Sequence, residues 1–264
     1  MNRFLTYVVL AISAIVLSGC KSSVPEFELV EIDPFIVIDF QFVNGEGEHV
    51  ELNEQFTDLI GYRVDPLEFK YYLSNLTLSG DAISHKMADI ELVNHQKNDP
   101  NAEGPQWGSS FKYQVPAGQY NQLSFGLGVP ADLNESDPAN FASEHPLSVY
   151  SNMYWAWATM YRFVVIEAKI DTNGGSDVNQ ALAFHTGLDD LYRPFVEVPV
   201  DLDLKSFEKD TLVIEVDWNT MFHYGESPIH LKLQSVTHTT DTQEEFDLAE
   251  RFTDNMIHAF SARN

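Results

Sequence analysis

The sequence contains nine histidines, which are its main candidates for metal ligands. Neutral imidazole binds copper and zinc, whereas the single cysteine, Cys20, lies near the N-terminus, so thiolate sites are excluded from the rest of the chain. No two histidines have the i, i+4 spacing of a helical metal site or the His-x-His spacing of a strand site, so any site must be assembled from distant segments. Taken singly, each histidine is more often a surface or structural residue than a ligand. The histidines are His49, His85, His95, His145, His185, His223, His230, His238 and His258.

Motifs of enzymes and of calcium loops are missing or incomplete. The sequence contains no nucleophile elbow, P-loop, dinucleotide fingerprint, HExxH or CxxCH motif. The stretch DTNGGSD at 171–177 resembles a calcium loop but lacks the glutamate that closes an EF-hand, and it therefore predicts a hairpin turn. We expect a protein that is not an enzyme.

The stretch LSVYSNMYWAWATMYRFVVIE at 147–167 concentrates aromatic residues, among them Trp155 and Trp157. Core packing is the first interpretation, and an indole that lines a site is the alternative, because tryptophan serves for both filling and stacking. A lipid-facing patch is disfavoured because a strand pattern follows directly. Since 147–160 contains no Gly or Pro and places apolar side chains on one helical face, it predicts a short aromatic helix that leads into a strand at 161–170.

Period-two alternation of apolar residues, typical of half-buried strands, dominates the rest of the chain. It predicts an all-β fold, an Ig-like β-sandwich of two sheets, as a single domain over residues 35–264. The clearest alternation lies at 123–129, 196–204 and 212–218, and further strands are predicted at 35–43, 69–78, 89–94, 161–170 and 229–236.

The segment from Glu244 to Phe260 has a helical pattern instead. Apolar residues recur at helical spacing, and acidic residues occupy the first turn, where they suit the helix dipole. We expect a C-terminal amphipathic helix that lies against the sandwich.

The N-terminus, MNRFLTYVVLAISAIVLSGCKSS, has the pattern of a lipoprotein signal. Arg3 precedes an apolar run that is too short for a confident membrane span, and Leu17-Ser18-Gly19-Cys20 forms a lipobox. We therefore predict a signal peptide at 1–19, a lipidated Cys20 and a tether over 20–34; a simple secretory signal is the alternative. Lys21 favours the outer membrane of a Gram-negative cell, with the domain facing the periplasm.

The charge is strongly acidic, with 40 Asp and Glu against 15 Lys and Arg and a formal net charge of −25. Such a surface repels nucleic acid and anionic lipid headgroups. We expect no nucleic-acid partner, and membrane contact through the lipid anchor only. The simplest explanation of the many acidic residues is a solvated, salt-adapted surface. The more specific alternative is that they attract cations.

Several segments occur in the order and approximate spacing of the MbnP-like family. The sequence resembles this family over residues 35–260, as a divergent member. The segments are YYLSNLTL (71–78), YNQLSFGLGVP (120–130), LNESDP (133–138), HPLSVYSNMYWAWATMYRFVVIE (145–167), AFHTG (183–187), DWNTMF (217–222) and LAERFTDNMIHAF (248–260).

The resemblance implies an exported, mostly β protein related to the copper-binding proteins MbnP, MopE and CorA of methane-oxidising bacteria. In these relatives copper is held by histidines and by a kynurenine made from tryptophan, and a di-haem cytochrome c peroxidase-like protein is implicated in the oxidation. The resemblance thus implies copper as the metal and a protein of that class as a partner. Trp155 and Trp157 become candidates for oxidised or site-lining aromatics.

Only part of the relatives' ligand pattern is present. His185 lies at the family's FHxG position and is the first candidate ligand; His95 and His238 are secondary candidates, because both would reach a sandwich edge. No tryptophan is followed by a histidine two places later, which argues against high-affinity copper binding of the kynurenine type.

We expect a periplasmic lipoprotein, anchored in the outer membrane, that binds a transition metal, with copper favoured, for uptake, storage or delivery. The alternative is a metal-free β-sandwich that serves as an interaction or scaffold module of the cell envelope. A second imidazole close to His185 would favour the first function, and separated, exposed histidines would favour the second.

Overall fold

Alternating side chains explain why most of this sequence forms strands. In the first strand, Phe35–Val43, every second side chain is buried and the residues between them are partly exposed, as expected where one face of a sheet meets a core. The computed structural model describes residues 32–96, 105–175 and 177–263. The predicted signal peptide, Cys20 and the tether up to residue 31 lie outside the described residues.

Strands and helices of the described residues are numbered in chain order. Three short 3₁₀ helices lie at Pro138–Asn140, Val149–Ser151 and Asp189–Leu191. The α-helices are α1 (Ala131–Asn134), α2 (Trp218–His223) and α3 (Gln243–Met256). The strands are β1 (Phe35–Val43), β2 (Phe56–Thr57), β3 (Arg63–Ser79), β4 (Ser84–Asn94), β5 (Ser110–Gln114), β6 (Gly118–Leu127), β7 (Tyr154–Trp155), β8 (Met160–Asp171), β9 (Gln180–Gly187), β10 (Arg193–Leu204), β11 (Lys209–Asp217), β12 (Val236–Thr237) and β13 (Phe260–Ala262).

The strands form two mixed sheets. The smaller sheet has the order β13-β11-β1-β5, and the larger has the order β10-β6-β3-β8-β9-β12, with β2 and β4 paired to β3 and β7 paired to β8. Two pairings are parallel, β1 with β11 and β9 with β12. The predicted all-β sandwich is confirmed. Strands β8 and β9, which flank the turn predicted at 171–177, pair antiparallel.

The main core lies between the two sheets. Aromatic pairs lie among its aliphatic side chains, with Phe42 and Phe69 at 4.9 Å and Phe125 and Phe260 at 5.0 Å between ring centroids. Such tilted and edge-to-face pairs stabilise beyond their buried area. Among the described residues, no helix is long and apolar enough to cross a membrane.

Strand β8 is buried on both of its faces. Val164 and Ile166 face the main core, whereas Phe163 and Val165 join a second apolar cluster on the outer face of the larger sheet. The segment 129–160 covers this outer face and contributes to that cluster. The cover is held by hydrogen bonds, because the Tyr72 hydroxyl donates to the Pro146 carbonyl at 2.9 Å and the Tyr161 hydroxyl donates to the Leu147 carbonyl at 2.8 Å.

The short helix predicted over Leu147–Met160 is not formed. The stretch contains the 3₁₀ helix Val149–Ser151 and then a hairpin in which Trp155 of β7 pairs with Met160 of β8. Asn152 and Met160 have positive φ values of 55° and 61°, which interrupt any helix there. Burial of Met153 and Tyr161 on the outer face therefore overrides the helical pattern.

The strand predicted at 229–236 is also largely wrong. Ile229 and Leu231 are buried, but they lie in an irregular segment, and only Val236 and Thr237 form a strand. The backbone N–H of Ile229 donates to the Phe222 carbonyl at 2.7 Å, so this segment packs against α2 rather than beside another strand.

The C-terminal amphipathic helix is confirmed as α3. The Thr242 side chain caps it by accepting a hydrogen bond from the Glu245 N–H, and acidic residues fill its first turn. Phe252 is buried against Phe184, with ring centroids 4.9 Å apart. The helix ends before Phe260, which belongs to β13 and pairs with Val216 of β11.

Candidate metal centre

Two histidines meet where β9 and β12 run side by side. The parallel pairing sets Thr237 opposite Phe184, so His238, which directly follows β12, lies beside His185 of β9. Because Phe184 faces the main core, His185 projects to the outer face of the larger sheet. The centroids of the two imidazoles are 5.1 Å apart. The Thr239 hydroxyl donates to the His185 carbonyl at 2.8 Å and holds the chain after β12 in place.

Trp155 from the β7 hairpin packs against both histidines. Its ring centroid lies 5.1 Å from that of His185 and 5.8 Å from that of His238. Trp157 stacks on Trp155 at 5.0 Å and is 74% exposed, so the core-packing interpretation is wrong for Trp157. Trp155 is half-buried and lines the histidine pair, which is the alternative that the sequence left open.

Glu167 fixes the orientation of the His185 ring. The His185 Nε2 atom lies 2.9 Å from the Glu167 Oε1 atom, and the His185 Nδ1 atom is buried without a hydrogen-bond partner in the structure. An ionised carboxylate only accepts hydrogen bonds, so Nε2 carries the proton and Nδ1 keeps a free lone pair. A carboxylate that holds one ring nitrogen while the other stays free is the arrangement of metal-ligating histidines.

The electrostatics of this pair keep His185 neutral. Burial, followed by the charges of Arg162 and His238, lowers the pKa of His185 from its ordinary 6.5 to about 3. Burial, with the charge of Glu68, raises the pKa of Glu167, and Arg162 opposes that rise. Metal ligation requires neutral imidazole, so His185 needs to lose no proton before binding.

Arg162 is a further charged residue at the site. It is buried, and its guanidinium carbon lies 4.5 Å from the centroid of a Trp155 ring, within the range of a cation–π contact. Its guanidinium also donates to the Asn152 carbonyl at the base of the β7 hairpin. Arg162 therefore holds Trp155 over the histidines.

His238 is surrounded by carboxylates on its other side. Its Nδ1 atom lies 3.9 Å from the Asp241 Oδ2 atom, and its backbone N–H donates to the Glu245 Oε2 atom at 2.9 Å. One ligand atom from each of His238, Asp241 and Glu245 lies within 4.8 Å of the other two. Imidazole and carboxylate groups thus converge at the N-terminus of α3.

His95 lies elsewhere. Its ring stacks on Phe69 with centroids 4.9 Å apart and contacts Phe42, and both of these residues belong to the core between the sheets. Burial, with a contribution from the charge of His49, lowers the pKa of His95 to about 3. Since His185 projects from the opposite face of the larger sheet, the structure brings His185 and His238 together and leaves His95 apart.

The comparisons with known proteins agree with the resemblance of the sequence. The family model described as MbnP matches residues 35–244. The chain belongs to the MbnP family. A solved structure that matches is MbnP from Methylosinus trichosporium, at 19% identity and a TM-score of 0.47, with 73% of this chain and 78% of that chain covered. No curated protein matches the chain.

In this MbnP-family chain, the sequence interpretation missed four residues around the histidines. They are Arg162 and Glu167 on β8, and Asp241 and Glu245 near α3. Charged residues within the otherwise apolar stretch Tyr161–Ala168 were a signal for the first two, because a charge in a strand buried on both faces needs a specific partner.

The low pKa of His185 predicts a pH response of the metal-free protein. The unfolded chain binds the proton near pH 6.5 and the folded chain only near pH 3, so the His185 contribution to the free energy of unfolding is complete above pH 6.5 and declines as the pH falls towards 3. His95 acts in the same direction. We expect the His185 ring to remain neutral at pH 5 in NMR spectra, assigned with His185→Gln. A His185 resonance that titrates near pH 6.5 would contradict the buried geometry.

Proposed function

We propose that this protein binds copper at His185 and His238 and serves copper uptake, storage or delivery in the cell envelope. The observation that carries the proposal is the buried His185 Nδ1 atom, which has no hydrogen-bond partner and lies in a ring packed against a second imidazole. Buried polar atoms are normally paired, so an unpaired one beside another candidate ligand indicates a position for a ligand.

The donor set fits copper. Neutral imidazole is a good ligand for Cu and Zn, and copper stands highest among the divalent first-row metals in the usual order of affinity. His185 is neutral and is oriented by Glu167, and His238 offers a second ring at contact distance. The two rings would hold the ion, which would bring the Lewis acidity and redox chemistry of copper to the site.

Neighbouring residues would control access to this position. Trp155 packs against one side of the histidine pair, while Arg162 contacts Trp155 from the hairpin side. The positive charge of Arg162 opposes a bound cation, and the carboxylates of Glu167 and Glu68 offset that charge. The binding free energy therefore depends on this local balance as well as on the two ligands.

The proposal includes the location of the protein. The lipobox that ends at Cys20 supports anchorage by lipid, and Lys21 supports the outer membrane. A lipid-anchored copper protein facing the periplasm would take up the ion before it reaches the inner membrane.

The metal proposal is tested by titration of the protein, purified in detergent, with Cu(I) and Cu(II) under native mass spectrometry. We expect one equivalent of copper in the parent, and loss of that equivalent in His185→Ala and in His238→Ala, because each variant removes one imidazole of the pair. The matched control is His230→Ala, since His230 is an exposed histidine outside the His185–His238 pair.

Retention of a full equivalent by His185→Ala would exclude this site. A parent protein that stays metal-free at every copper level would instead favour the scaffold function, in which the histidines only pack.

Anchorage is tested by metabolic labelling with palmitate in the native host. We expect label in the parent and none in Cys20→Ser, because the thiol is the acceptor for the lipid, while Ser18→Ala, a change inside the lipobox that keeps the cysteine, retains it. Equal labelling of the parent and Cys20→Ser would refute the anchor.

A further inference from the structure

A buried carboxylate and an imidazole face each other between α2 and the turn 58–62, which joins β2 to β3. The Asp58 side chain is fully buried, and its Oδ2 atom lies 3.7 Å from the His223 Nε2 atom. Neither atom has a hydrogen-bond partner within the part of the chain that the structure describes. We propose that Asp58 and His223 hold a zinc ion that joins this turn to α2, at a site separate from the copper position and independent of it.

The turn holds Asp58 with one carboxylate oxygen free. The Oδ1 atom accepts hydrogen bonds from the backbone N–H groups of Ile60 and Tyr62, at 3.1 Å and 2.8 Å. The turn therefore uses only one of the two oxygens, and Oδ2 is left for another partner. A carboxylate that is removed from water needs a counter-charge, because burial of an unpaired ion is strongly unfavourable. A cation beside Oδ2 would supply that charge.

Helix α2 contributes two polar side chains to the same place. Asn219 and His223 are four residues apart and share one face of the helix. The Asn219 Oδ1 atom accepts from the Leu59 N–H at 3.0 Å, which fixes the turn against α2. The Asn219 Nδ2 atom is also buried without a partner among the described residues, so it can donate to a water on the ion. The His223 side chain is 15% exposed, which leaves a path from solvent.

The distance between the two ligand atoms decides what lies between them. At 3.7 Å they are too far apart for a direct hydrogen bond, which requires about 3.2 Å or less. A water at about 2.8 Å from both atoms would have to bond them at an angle of about 80°, well below the tetrahedral angle. A tetrahedral zinc ion with bonds of about 2.1 Å holds two ligand atoms about 3.4 Å apart, so a small shift of either side chain admits it.

The chemistry of the two donors suits zinc. Imidazole nitrogen and carboxylate oxygen are both zinc ligands, and water occupies positions that side chains leave open. Calcium and magnesium are disfavoured because they take oxygen ligands. The ion would stabilise the folded protein, because Asp58 and His223 are far apart in the unfolded chain and cannot bind it together.

The test uses the full protein in detergent, in a background that carries both His185→Ala and His238→Ala, so that the copper position cannot bind the probe. Zinc(II) is titrated under native mass spectrometry, and thermal unfolding is followed with and without zinc. Asp58→Asn and His223→Gln are added singly, and Asp58→Asn keeps the oxygen that accepts from the turn. The matched control is Asp132→Asn, because Asp132 is exposed and the change removes the same charge.

We expect one zinc ion per protein in this background and a higher Tm when zinc is added. Each ligand variant should bind zinc about tenfold or more weaker and lose the rise in Tm, since removal of even a residue that supports a metal ligand has an effect of this size. Asp132→Asn should bind zinc as the background does. A cooperative unfolding transition without zinc shows that each variant is folded.

Two results would overturn the inference. One is zinc affinity that is unchanged in Asp58→Asn and His223→Gln, and the other is a folded background protein that binds no zinc. Both results leave the copper proposal intact, because its two histidines are absent from the background.

Discussion

The parallel register between β9 and β12 is the constraint on which the candidate site depends. It places His185 of β9 beside His238, which directly follows β12, and a slip of one residue would turn His238 towards the main core. β12 has only two residues, so backbone pairing alone holds it weakly. The hydroxyls of Thr237 and Thr239 add hydrogen bonds to Glu245 and His185, and these bonds join the end of β12 to both α3 and β9.

A second core on the outer face of the larger sheet provides the rest of the site. The segment that contributes Leu147 and Met153 to this core leads directly into the β7 hairpin, which carries Trp155 over the histidines. Because β8 is buried on both faces, its charged residues need specific partners, and Glu167 pairs with the His185 ring. The positions of Trp155 and Glu167 beside the histidines thus depend on the packing of the second core.

Sequence patterns predicted the sandwich and α3, because alternation and helical spacing are local properties of β1, β10, β11 and α3. They did not predict the β7 hairpin, since its packing partners, such as Tyr72, are distant in sequence. Among nine histidines, the sequence pointed first to His185, and it pointed equally to His238 and His95 as secondary candidates. The β9–β12 register and the face from which each histidine projects determine which histidines lie close together. Neither can be predicted from the local spacing of residues.

We propose that the free Nδ1 atom of His185 and the adjacent His238 ring form a metal position. Anomalous diffraction at the copper absorption edge, from crystals of the protein loaded with Cu(II), tests it most directly. We expect one strong peak at about 2 Å from the His185 Nδ1 atom and from a ring nitrogen of His238. A peak at other residues, with none between these two rings, would contradict it.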